Sequence, residues 1–194
     1  MIPTAPLPIR NRLAEMILKS LHEPEACREL TALAARDATP PDWLQGDERA
    51  CWPLVQARAV GASVALRARP SGPIGSRAEL LVAAATLFDA HLYFEVHELL
   101  EPAWREAEGA EREALQGLIQ IAVGYQHLAN RNFAGARALL DEGLRRIEGR
   151  TLDGLELEAF GRGVRHSLDR LLQLDWDTVP SFPRQDVNVR KETS

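Results

Sequence analysis

Apolar residues recur along this chain three and four apart, the spacing of one helix face. No window alternates with period two for long enough to predict a strand. Ile9, Leu13, Met16, Ile17 and Leu21 mark a first helix. Pro24 ends that pattern and can open a second segment carrying Leu30, Leu33 and Ala34. Pro40-Pro41-Asp42 is a turn, and a third apolar segment runs from about Trp52 to Leu66. Pro70-Ser71-Gly72-Pro73-Ile74-Gly75 reads as a linker and is the best internal boundary. No chemical motif is legible in this first part of the chain.

Beyond the linker the helical pattern strengthens. Ser76-Arg77-Ala78-Glu79 is a capping box, and a helix from about Arg77 to Ala90 should bury Leu80, Leu81, Ala84, Leu87 and Phe88. Further helices are predicted from Tyr93, from about Glu111 to Asn130, from Phe133 to Ile147, and from about Leu155 to Leu174. The last should bury Phe160, Val164, Leu168 and Leu171. A weak repeat at an offset of forty places Tyr93, Val96, Leu99, Leu100 and Glu101 on Phe133, Ala136, Leu139, Leu140 and Asp141. Two such helix pairs are too few for a solenoid, so a compact bundle is expected. Residues from Pro180 onward read as polar and frayed.

Composition narrows the class. The chain has 194 residues, 45% of them hydrophobic and 26% charged, which suits a globular domain with a real core. A net charge of −5 gives no general attraction for nucleic acid or an anionic membrane. Cys27 and Cys51 lack the spacing of a disulfide framework or zinc ribbon and read as reduced thiols. The start of the chain lacks a basic segment followed by an apolar run, so no signal peptide is predicted. No apolar run approaches the ~20 residues of a membrane span, and a cytoplasmic location is expected.

The candidate chemistry lies in Tyr93-Phe94-Glu95-Val96-His97-Glu98-Leu99-Leu100-Glu101-Pro102-Ala103-Trp104-Arg105. On a helix His97 and Glu101 fall roughly 40° apart, with Glu98 one turn before Glu101. His-Glu-x-x-Glu is related to the zinc-protease pattern His-Glu-x-x-His, with a carboxylate in place of the second imidazole. Pro102 removes a donor and frees the Glu98 carbonyl, so a kink is expected there. On the next helix Gln116, Gln120 and His127 form one polar stripe, opposite Leu115, Leu118, Ile119 and Ala122. If buried, these groups need partners, and the nearest expected are His97 and Glu101 on the preceding, antiparallel helix. Gly117 and Gly124 would permit close helix approach.

Two readings follow. In one, His97, Glu101 and His127 bind a divalent metal of unspecified identity, with Glu98 as fourth ligand or general base. In the other, the same residues form an inert buried His–Glu–Gln network that fixes helix register in a non-enzymatic scaffold or protein-interaction module. Arg145, Arg146, Arg150, Arg162, Arg165 and Arg170 form a local basic cluster, but interspersed acids predict a salt-bridged surface. No nucleic-acid module accompanies them. His22, His91 and His166 read as surface or boundary residues. No serine nucleophile elbow and no phosphate-binding glycine loop is present.

Phe94-Glu95-Val96-His97-Glu98-Leu99-Leu100-Glu101-Pro102, then Trp104-Arg105, then Leu115-Gln116-Gly117-Leu118-Ile119-Gln120-Ile121-Ala122, resembles the all-helical domain-of-unknown-function family 309. The resemblance runs from about Glu79 to Leu174 and leaves out the N-terminal seventy-odd residues. It implies that His97, Glu98, Glu101, Trp104, Gln116 and His127 occupy signature positions. Some groupings describe such proteins as predicted metal-dependent hydrolases. Where related chains often carry glycine at the turn before the aromatic pair, this chain has His91.

The expectation is thus an all-α bundle of about five helices over residues 76–175, an N-terminal helical extension over 1–75, and a tail over 176–194. The expected site is hydrolase-like, with metal on His97, Glu101 and His127. Glu98 would activate water, Arg105 would orient an anionic group, and Trp104, Gln116 and Gln120 would support the site. The partner would be a small molecule or a protein, a second copy of the chain included, and neither nucleic acid nor membrane.

Overall fold

A computed structural model describes residues 5–67 and 72–184, and among these it has eight α-helices, short 3-10 turns and one two-stranded hairpin. The first three helices are α1 (Leu7–Lys19), α2 (Pro24–Leu33) and α3 (Trp52–Arg67). Proline in the first turn of α1 and of α2 starts each helix where its missing N–H has no helical acceptor to lose. Ile9, Leu13, Met16 and Ile17 are the buried stripe of α1, as their spacing requires. Part of the expected linker, Pro70 and Ser71, lies outside the described residues. Its end is tied to the next helix, where Glu79 Oε2 accepts from the Gly75 and Ser76 amides at 2.8 and 2.9 Å.

Four helices then form two hairpins: α4 (Arg77–Asp89) with α5 (Tyr93–Glu106), and α6 (Gly109–Ala129) with α7 (Phe133–Ile147). The capping box that opens α4 is complete. Both hairpins turn through the same corner. The Leu92 amide reaches back to the Leu87 carbonyl and the Asn132 amide to the His127 carbonyl, each at 2.9 Å. One residue per corner sits in the left-handed region, His91 at φ 60° and Arg131 at φ 61°. The sequence repeat at offset forty is therefore a structural repeat, including the turn that departs from glycine at His91.

α6 and α7 pack closely because glycines face each other. A Cβ on Gly117 would stand 2.9 Å from the Gly143 carbonyl, and one on Gly143 would stand 2.8 Å from the Gly117 carbonyl. Gly124 likewise faces Leu140. The close approach expected of Gly117 and Gly124 is thus made to α7.

The rest of the chain departs from the expected long final helix. Thr151–Leu152 (β1) pairs antiparallel with Leu155–Glu156 (β2). The turn between them is Asp153-Gly154, both at positive φ, the hairpin turn that an Asp-Gly pair favours. Its two-residue strands were too short for a period-two signal. α8 spans only Glu158–Asp169, still burying Phe160, Val164 and Leu168. The chain then folds back. Phe182 is buried against Phe88 and Phe160, and its amide donates to Asp89 Oδ1 at 2.8 Å. Residues 180–184 are therefore packed, not frayed; the remaining tail, 185–194, lies outside the described residues. Phe88 touches Tyr93, Tyr125, Phe160 and Phe182, and this aromatic cluster is the centre of an apolar interior shared by both parts of the chain.

Candidate functional site

Burial of Tyr93, Val96 and Leu100 fixes the rotation of α5, and that rotation places His97, Glu98 and Glu101 on the partly exposed edge. α5 continues through Pro102 to Glu106, so the edge remains helical across the proline. Each of the three residues offers a ligand atom, and these atoms all lie within 4.8 Å of one another. His97 Nδ1 is 3.0 Å from Glu98 Oε1, and His97 Nε2 is 4.0 Å from Glu101 Oε2. Arg105 Nη2 donates to the other oxygen, Glu101 Oε1, at 2.7 Å.

These contacts decide the tautomer. A carboxylate can only accept, so Glu98 selects the imidazole with the proton on Nδ1 and leaves the Nε2 lone pair on the Glu101 side. A metal-ligating histidine commonly has this support, with its second nitrogen donating to a carboxylate. Two ligands about 2.1 Å from a tetrahedral ion would stand about 3.4 Å apart, so a small rotamer adjustment closes the observed separation. Imidazole nitrogen with carboxylate oxygen suits a borderline ion such as zinc or manganese. The residues fit a divalent cation.

The α6 residues lie elsewhere. Stacking of Tyr93 on Tyr125, with centroids 5.3 Å apart, sets the register between antiparallel α5 and α6. From that contact His97 lies about four residues along one way and His127 about two the other way, an axial offset of roughly 9 Å. On the helical wheel Gln116, Gln120 and His127 are roughly 140–180° from Tyr125, on the far side of α6. His127 belongs to the second corner. Asn132 Oδ1 accepts the Gly135 amide at 3.0 Å, which turns the Asn132 amide nitrogen toward His127 Nδ1 at 2.7 Å. His127 Nδ1 is then an acceptor, the proton sits on Nε2, and neither nitrogen is poised to ligate a metal.

The structure therefore brings together His97, Glu98, Glu101 and Arg105. His127 stands outside the converging group, as do Gln116 and Gln120. Trp104 packs at the other end of α5, its ring under the Arg112 guanidinium at 4.1 Å. Trp104 Nε1 and Gln120 Oε1 are buried without a hydrogen-bond partner among the described residues.

Two features near the site went unread in the sequence. Glu95, two residues before His97, is buried against Arg58 of α3, with Arg58 Nη2 at 2.9 and 2.8 Å from its two oxygens. Arg10 of α1 stacks over Phe94 at 3.9 Å from the ring centroid. Glu95 sits at an interior position of an otherwise apolar stripe, and that was a legible sign of a buried partner. Nothing in the sequence pointed to Arg58 or Arg10 in particular. Four of the six arginines of the basic cluster, Arg145, Arg146, Arg162 and Arg165, pair with acids as expected. Arg150 and Arg170 show no ion pair among the described residues, and Arg150 Nε is buried without a hydrogen-bond partner there.

No helix among the described residues is long and apolar enough to cross a membrane. No solved structure matches the chain. Among proteins of known sequence, it is 38% identical over 69 residues to an "Uncharacterized protein YpuF" of Bacillus subtilis (strain 168). That stretch covers 34% of this chain and 40% of the relative's length. Residues 81–139, which contain both corners and the whole of α5, match the family described as Domain of unknown function (DUF309).

Proposed function

We propose that the exposed edge of α5 is a divalent-metal site serving a hydrolytic reaction, with His97 Nε2 and Glu101 Oε2 as the protein's ligands. The observation that carries this reading is the convergence of the three ligand-bearing side chains within 4.8 Å, with Glu98 holding His97 in the ligating tautomer. A metal held there would supply Lewis acidity, polarising a carbonyl or phosphoryl group. Glu98 serves in two ways. Its Oε1 orients His97, and its Oε2, which makes no hydrogen bond among the described residues, can take a proton from an attacking water. Arg105 holds Glu101 Oε1, which leaves Oε2 facing His97, and its exposed guanidinium can orient an anionic group.

The test is metal analysis of protein purified without an affinity tag, followed by titration with Zn²⁺ and Mn²⁺. About one equivalent should bind to the wild type and be lost in His97→Ala and Glu101→Ala, while His127→Ala keeps it. Absence of bound metal from the wild type, or full retention in His97→Ala, would overturn the reading. The rival is a scaffold whose polar edge only rigidifies the helix. It is favoured if no metal binds and His97→Ala lowers the unfolding temperature instead.

A further inference from the structure

We infer that Arg10 is an anion-binding residue of the α5 site, so that the N-terminal helix takes part in selecting an oxyanionic substrate group. The inference rests on the metal reading above and adds a substrate class to it.

Phe94 is one turn before His97 on the same edge of α5, and the two rings have centroids 6.1 Å apart. The Arg10 guanidinium lies over that same Phe94 ring at 3.9 Å. Taken end to end, these distances put the guanidinium carbon no more than about 10 Å from the His97 ring. One oxyanion, with contacts of about 2–3 Å at each end, can bridge such a span.

Arg10 is also held in a way that leaves it available. Its Nε and Nη2 both donate to Asn11 Oδ1, at 3.2 and 3.1 Å, and its face rests on Phe94. Nη1 makes no hydrogen bond among the described residues. Asn11 is neutral, and no carboxylate among the described residues forms an ion pair with Arg10. Arg105, in contrast, is paired with Glu101, and Arg58 with Glu95. A divalent ion would offset the charges of Glu98 and Glu101, leaving Arg10 as a fixed positive group beside the site. Stacking on an aromatic ring orients a guanidinium in advance, so less side-chain freedom is lost when an anion binds.

The experiment uses the full chain loaded with Mn²⁺, with the free ion followed by its EPR signal. Inorganic phosphate and then acetate are titrated, their approach read from paramagnetic relaxation of ³¹P and ¹³C. Arg10→Ala should retain Mn²⁺ like the wild type but bind phosphate about tenfold more weakly. Arg10→Lys, which keeps the charge and loses the fork, should fall between them. Arg12→Ala is the control, because Arg12 lies instead over Trp43 and should leave both affinities unchanged. A loss confined to phosphate assigns a tetrahedral oxyanion, and a loss for both ions extends the class to carboxylates. Wild-type phosphate and acetate affinities in Arg10→Ala, or an equal loss in Arg12→Ala, would overturn the inference even if Mn²⁺ binds as expected. If the wild type retains neither Mn²⁺ nor Zn²⁺, the metal reading itself fails, and Arg10 loses its role with it.

Discussion

The two helical hairpins share one corner but not one edge. At the first corner Ala90 has φ −86° and ψ 7°, and at the second Asn130 has φ −88° and ψ 8°. Each is followed by the left-handed residue, His91 or Arg131. Further along, Glu101 pairs with Arg105 at 2.7 Å, and forty residues later Asp141 pairs with Arg145 at 2.5 Å. The acid–arginine pair at i,i+4 is therefore part of the common scaffold, the kind of exposed pair worth about 0.3–0.5 kcal/mol. The second hairpin has Arg137 and Ala138 where the first has His97 and Glu98. The histidine and its adjacent carboxylate are what α5 adds, and the chemistry should be sought there before Arg105.

The hairpins also differ in how they are anchored. The position of Glu95 in the first is Gly135 in the second, so a buried ion pair to α3 stands opposite a bare backbone packed against His127. Glu95 and Arg58 are 1% and 4% exposed, and either one alone would be an uncompensated buried charge. Glu95→Ala or Arg58→Ala should therefore lower unfolding stability by about 3–5 kcal/mol, the largest single-residue effect expected here. The double replacement Arg58→Met with Glu95→Leu should recover most of that loss. Urea unfolding of the wild type, Arg58→Met, Glu95→Leu and the double variant forms the cycle, and additive losses would show that the two residues do not act as a pair.

A second contrast concerns helix spacing. Gly143 touches the Gly117 carbonyl through a gap that admits no methyl, while its counterpart in the first hairpin is Ala103. Gly143→Ala gains helix propensity yet should destabilise by about 1–3 kcal/mol through overpacking. Ala103→Gly should cost about 0.5–1 kcal/mol, the ordinary helix penalty. If Gly143→Ala proves stabilising, α6 and α7 are less tightly fitted than the backbone contact implies.

These contrasts show which parts of the molecule could be read from its sequence. The helices of residues 76–147 were legible because caps, apolar stripes and corner residues agree locally. Ser76 with Glu79, the stripe from Leu81 to Phe88, and the repeat at offset forty all point the same way. The β-turn at Asp153-Gly154 was missed because its strands are two residues long. The packed end at Phe182 was missed because its partners, Phe88, Asp89 and Phe160, are distant in sequence. For the site, helical spacing alone joined His97, Glu98 and Glu101. Placing His127 needed the rotation of α6, and that is set by glycine contacts with α7 that no spacing rule contains. The pairing of Arg58 with Glu95 is tertiary in the same sense.

The smallest expected effect separates the two corners by pH. His91 and Arg131 share a left-handed backbone, which disfavours any side chain, so glycine at either position should relieve roughly 1 kcal/mol of strain. Arg131 is exposed, and Arg131→Gly should give that gain at every pH near neutrality. His91 instead stacks on Tyr93 and borders Trp176, contacts whose loss should cancel much of the gain at pH 7.5. Burial holds the His91 imidazole below its ordinary pKa of 6.5, against the opposing pull of Asp89 and Asp177. As pH falls below about 6.5 the unfolded chain takes up the proton first, so stability declines with acidification until the folded value is passed. His91→Gly removes that term and should become relatively more stabilising at pH 5.5 than at pH 7.5. Urea midpoints at the two pH values decide the matter. Equal shifts for the two glycine variants at both pH values would mean that the corners differ only in name, and that His91 plays no electrostatic part in the fold.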